Sequence, residues 1–186
     1  MKWILFAFLA FPIAQSSAQN LGKQFEWTKS AASRIPLHAT LPYYDTTVRQ
    51  ENELTREQLE DNAKYYFHEV FGTDLIKVTG KHKITGCCNY LFNIGNNQDE
   101  ENIYKVVYLL DITSRDGKYE VEMHDFTIEH LGHEVDIAKK IELAKDGVGA
   151  ACHMLAGFHR RNLDELKKVH QTMSRGEKPE NRTASK

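Results

Sequence analysis

The chain has 186 residues, with 24 Lys and Arg against 26 Asp and Glu, for a formal net charge of −2. This slightly acidic balance is no electrostatic match for DNA or an anionic membrane surface, both of which attract basic patches. The length suits one domain able to bury its own core, and three cysteines, an odd and sparse set, exclude a disulfide-built scaffold.

Residues 1–18 read as a secretory signal peptide. Lys2 is the charged start, Trp3 to Ala14 is a short apolar run broken by Pro12, and Ser16-Ser17-Ala18 supplies small residues for cleavage. The run is too short for a stop-transfer helix, and no later run is long and apolar enough to span a bilayer. Loss of Lys2 takes the net charge to −3. The expected product is exported, periplasmic or extracellular, with no transmembrane segment after signal removal. Residues 19–41 have few periodic apolar positions and are expected to be a flexible segment. Residues 42–173 form the expected single domain. Residues 174–186 are polar throughout and read as a disordered tail; they include the glycosylation pattern Asn181-Arg182-Thr183.

Within the domain, Thr55-Arg-Glu-Gln58 is a capping box. Leu59, Ala63, Tyr66, Phe67 and Val70 follow at helical spacing, and Gly72 supplies the left-handed stop. Tyr65, Tyr66, Phe67 and Phe71 lie on one continuous face, which points to core packing rather than a ligand box. Leu75 to Thr79 is a short strand. Lys83 to Ile94 alternates, with Ile84, Gly86, Cys88, Tyr90, Phe92 and Ile94 on one face and Leu91 the exception on the other. After the polar turn Gly95 to Asn102, the strand Ile103 to Thr113 turns Tyr104, Val106, Tyr108, Leu110 and Ile112 inward. Its second face is partly apolar through Val107 and Leu109, a candidate docking face.

Asp116-Gly117 marks a tight hairpin turn in which both residues can take positive φ. Tyr119, Val121 and Met123 alternate beyond it. The phase then slips, because Phe126 and Ile128 are apolar where Asp125 should be. A one-residue bulge near His124-Asp125 would restore the inward aim. Ile137, Ile141, Ala144, Val148, Ala151, Leu155 and Phe158 make a helical stripe with a break expected at Gly147 or Gly149. Asn162 is read as the cap of a last helix with Leu163, Leu166, Val169 and Met173 inward. The predicted class is α+β: an antiparallel meander packed against an N-terminal amphipathic helix and C-terminal helices.

The stretches "REQLEDNAKYYFHEVFG", "GKHKITG" and "VVYLLDITSRDGKYEVEMHDFTI" are similar to an early helix, a strand entry and a terminal hairpin of one family. Through them the segment 42–129 resembles exported bacterial domains of unknown function with a TATA-binding-protein-like (TBP-like) fold, with 130–173 as a helical extension. The resemblance implies a fold and an export route, and no site residues. Fold alone confers no DNA binding. Minor-groove binders need basic contacts and apolar wedges, whereas the wet face of this hairpin carries Glu120 and Glu122.

Three constellations could carry chemistry. His130, His133 and Glu134, with Asp125 or Asp136, are the metal candidates, but the spacing is neither HExxH nor HxxEH, and solvated loop histidines are the simpler reading. Cys88 and Cys152 could bridge sheet to helix, worth about 4 kcal/mol if unstrained, or stay as buried free thiols. A Cys-His nucleophile using His153 or His159 lacks an orienting third group. The small residues from Gly147 to Gly157 match no phosphate loop and suit close helix-to-sheet packing. No motif calls for a catalytic residue or a cofactor. The sequence therefore leads to a non-enzymatic exported domain binding a protein partner or small ligand. Its rivals are a metal-dependent hydrolase using the His/Glu cluster and a structural element of the cell envelope.

Overall fold

Strict alternation along the middle of the chain produces one antiparallel sheet with two unlike faces. The computed structural model describes residues 33–50, 54–72, 76–79, 82–95 and 100–175. Strands β1 (Leu37–His38) and β2 (Leu41–Pro42) form a small hairpin. The main sheet comprises β3 (Tyr44–Arg49), β4 (Ile76–Thr79), β5 (Lys83–Asn93), β6 (Ile103–Arg115) and β7 (Lys118–His130), in the order β3-β7-β6-β5-β4. A two-residue strand β8 (His133–Glu134) pairs with the end of β7. Within the segment expected to be flexible, Ile35 is buried with the core cluster and Leu37–Pro42 carry the short hairpin. The signal peptide, residues 19–32 and the sequon lie outside the described residues.

Helix α1 (Arg56–Tyr65) begins as its capping box dictates. Thr55 Oγ1 accepts from the Gln58 amide at 3.3 Å, and Gln58 Oε1 accepts from the Thr55 amide at 2.9 Å. Past Tyr65 the helix widens into a π-helical turn, Tyr66–Phe71, that ends at Gly72 with φ of 73°. The wider turn changes the side-chain phase. Val70, expected inward, is therefore exposed, while Phe71 packs edge-on to Tyr108 at 6.5 Å.

The hairpin β6–β7 turns at Asp116-Gly117, where Gly117 alone takes positive φ. The double left-handed turn that Asp-Gly permits is not used. Asp116 instead accepts from the Arg56 amide at 3.0 Å, at the positive end of α1. The phase slip on β7 is a bulge. Val107 pairs with Thr127 and Leu109 with His124, so β7 carries one extra residue, and Asp125 has φ of 53°. Phe126 and Ile128 are thereby re-aimed into the core, Phe126 against Tyr108 and Phe158.

Helix α2 (Ile137–Lys145) is capped by Asp136, and Gly147, with φ of 80°, breaks the chain as expected. Helix α3 then runs without interruption from Gly149 to Met173. Asn162 is no cap. It is buried mid-helix and accepts from the Tyr90 hydroxyl at 2.7 Å. Leu163 and Val148, expected inward, are exposed; without a break at Asn162 the stripe passes through Asn162, Leu166, Val169 and Met173 instead. α1 and α3 pack on the same face of the sheet. Phe67 lies over Gly86, Phe92 lies under Gly157, and Leu59, Phe158, Val169 and Met173 join the strands in one buried cluster. The C-terminal helices therefore share the core rather than extend it. No described helix is long and apolar enough to cross a membrane.

Candidate functional site: the open face of the sheet

The helices leave the other face of the sheet uncovered by any described helix, and its side chains are set by strand register alone. One row across the sheet reads Asp45, Glu122, Asp111, Thr85 and Lys77 on successive strands. Three neighbouring carboxylates in a row repel one another. The surrounding residues offset this. Lys83 Nζ lies 2.5 Å from Asp111 Oδ2 and 3.4 Å from Glu122 Oε2. The Thr85 hydroxyl donates to Asp111 Oδ1 at 2.5 Å. His124, aimed by the bulge, places Nε2 at 3.0 Å from Asp111 Oδ2 and Nδ1 at 3.1 Å from Asp125 Oδ2.

Protonation follows this geometry. Burial would raise the Asp111 carboxyl, yet its hydrogen bonds to Lys83, Thr85 and His124 prevail and hold it below the usual carboxylate range. The same contact to Asp111 raises Lys83 further. Burial works against charging His124, but the carboxylates of Asp111 and Asp125 on its two nitrogens outweigh that, and its pKa lies above 6.5. An imidazole that donates from both nitrogens is the charged form. The Tyr43 ring stacks on His124 with centroids 6.1 Å apart. Burial, then its hydrogen bond to Glu122, pushes the Tyr43 hydroxyl up to about 12. These groups hold one another in matched charge states, which suits a fixed electrostatic pattern better than proton transfer.

Beside the network lies an apolar strip. Leu109 is flanked by Cys87 and His124, Val107 by Asn89 and Thr127, and Lys105 by Leu91 and Glu129. Val107 and Leu109 are half-buried, Cys87 is exposed, and Leu91 is 62% exposed. The docking pair read from the sequence thus occupies the centre of the open face.

Of the metal candidates, His130 and His133 are brought side by side, but no group of three ligands forms among the described residues. His130 and His133 face each other across a two-residue turn, with Glu134 opposite Glu129. The His130 ring stacks on Tyr104 at 4.2 Å and its Nε2 meets the Glu101 carbonyl at 2.8 Å. His133 and Glu134 are exposed. Among the described residues no group of His, Cys, Asp and Glu is arranged to hold a metal ion.

The three cysteines are free thiols. Cys88 and Cys152 are both buried, and the Cys152 thiol donates to the Ala144 carbonyl of α2 at 3.6 Å instead of bridging to Cys88. Burial pushes the Cys88 thiol far up, which removes it as a nucleophile at neutral pH. His159 meets the Tyr44 hydroxyl at 3.0 Å instead of a thiol.

Sequence reasoning missed Asp111, Lys83, His124, Asp125 and Tyr43 as a unit. The available signal was a lone acid in the apolar run of β6, at a wet-face position.

No family model matches the chain, and no curated protein matches it. Solved structures do. A TBP-like protein from Parabacteroides distasonis superposes with a TM-score of 0.61 at 13% identity, over 77% of this chain and 99% of that one. A DUF4468 family protein from Bacteroides ovatus superposes with a TM-score of 0.64 at 11% identity, over 76% and 91% of the respective chains. At such identities the likeness shows the fold, and the fold of this chain is the α+β TBP-like fold found in those Bacteroides and Parabacteroides proteins.

Proposed function

We propose that the protein is an exported, non-enzymatic binding domain that docks a protein partner on the open face of its sheet. One observation carries the reading: Val107 and Leu109 sit with exposed Leu91 and Cys87 on a broad face that no described helix covers. Contiguous apolar surface beside fixed polar groups is the usual make-up of an interaction site. The surrounding charge is unequal. Asp45, Glu120, Glu122, Asp125 and Glu129 crowd the β3 and β7 side, where those two strands supply Arg49, Lys118 and His124 and the neighbouring strands supply Lys83, Lys105 and Arg115. The partner that fits has an apolar centre with a basic margin on one side. Export rests on the leader read in residues 1–18.

The test uses the protein and its double variant V107S/L109S, each as affinity bait in the exported fraction of the producing cell. Loss of a stoichiometric partner with the variant, at unchanged circular dichroism, is expected. If every partner stays bound, or if the protein is found unprocessed in the cytosol, the reading fails.

A further inference from the structure

One edge of the sheet is built unlike the others. Among the described residues β4 pairs with β5 from Lys83 to Gly86, and no described strand pairs with Cys87 to Phe92 on that side. A strand edge presents a row of backbone N–H and C=O groups, and natural sheets blunt such edges with charge, proline, bulges or brevity. The other edges follow the rule. β3 carries Asp45 and Arg49, and β4 carries Lys77 and has only four residues. The β5 edge does not. No charged residue and no proline occurs between Lys83 and Asp99, and the register with β6 runs unbroken from Lys83 to Asn93. Tyr90 and Phe92 are buried on the helix side, Phe92 against Phe158 and Gly157 of α3, so the edge is backed by the core. Cys87, Asn89 and Leu91 are exposed.

We propose that this edge pairs with the same edge of a second copy, antiparallel about a twofold axis, to give one continuous sheet across a homodimer. A twofold axis sets each residue near it opposite itself or a close neighbour, so any charge there would face its like. A run with no charge satisfies self-pairing. An edge shaped to capture a charged foreign strand would carry the complementary sign. The position of β4 agrees. It lies at the start of β5, so in an antiparallel pair the two β4 copies sit at opposite ends and leave the centre clear.

The test is sedimentation velocity on the purified protein as the cell processes it, over roughly 1 to 100 µM. Reductant keeps the exposed Cys87 thiols from cross-linking. The expected result is a concentration-dependent shift from one chain to two, with amide exchange slowing over residues 87–92 as the dimer forms. Leu91→Lys sets like charges near the axis on an exposed site and is expected to weaken the dimer on the order of tenfold. V107S/L109S is expected to dimerise as the parent does, which separates this edge from the partner face. A protein that stays single-chain throughout, or a dimer that Leu91→Lys leaves equally tight, overturns the proposal.

Discussion

His124 shows how a single side chain joins backbone irregularity to charge. The bulge at Asp125 turns its ring between two carboxylates, and both favour the charged form over the opposition of burial. A group whose pKa is raised by folding stabilises the native state fully below its unfolded value, and that stabilisation is lost as pH rises through the folded value. The stability gap between the parent protein and His124→Asn is therefore expected to widen as pH falls from roughly 8 to 6. Denaturant midpoints of the two proteins at each pH measure it, and a gap that stays flat or narrows on acidification contradicts the ionic role. The comparison is needed because His159 and His170 act in the opposite sense. Burial lowers both of their pKa values, so their contribution declines as pH falls below 6.5. Asp111 adds a second limb at lower pH. Its depressed carboxyl supports the fold above the carboxylate range and loses that support on further acidification.

At the scale of elements, the π-helical turn and the sheet approach most closely at Gly86 among the described glycines. A Cβ built at Gly86 would stand 2.3 Å from Phe67 Cε1, and Phe67 is fully buried. Replacing a strand glycine by alanine ordinarily stabilises by about 0.4–1 kcal/mol through the unfolded chain. Overpacking costs about 1–3 kcal/mol and prevails here. Gly86→Ala is expected to lower the denaturant midpoint with little change in m-value; an unchanged or higher midpoint would show that α1 shifts freely.

The same elements show what periodicity can and cannot reveal. The start of α1 was legible because a capping box is local, and the β7 bulge was legible because its apolar phase slips at Phe126. The π-turn was not, since one widened turn alters direction without altering composition. The unbroken run of α3 was hidden because Asn162-Leu-Asp-Glu165 imitates a cap, while the Tyr90 hydroxyl that satisfies Asn162 comes from a distant strand. The central pair of the open face, Val107 and Leu109, was legible as an apolar exception on a wet face. The network around Asp111 was not, because Lys83, Asp111 and His124 meet only through the registers of β5, β6 and β7, which alternation leaves undetermined.

In the whole molecule, one core unites sheet and helices. Met154, Leu155, Phe158, Val169 and Met173 of α3 are all buried with the strands, so removing the chain after Glu129 strips one layer from that core. The shortened protein is expected to lack a cooperative thermal transition, as followed by near-ultraviolet circular dichroism. A sharp transition in the shortened form would show that the strands and α1 fold without the C-terminal helices. Alternation along β5, β6 and β7 also divides the work of the sequence by parity. Odd and even positions answer to different neighbours, one set to the oily interior and the other to water and whatever arrives from it. Substitutions at alternate positions can accordingly change the chemistry of the bare side, one residue at a time, while the packing beneath stays as it is.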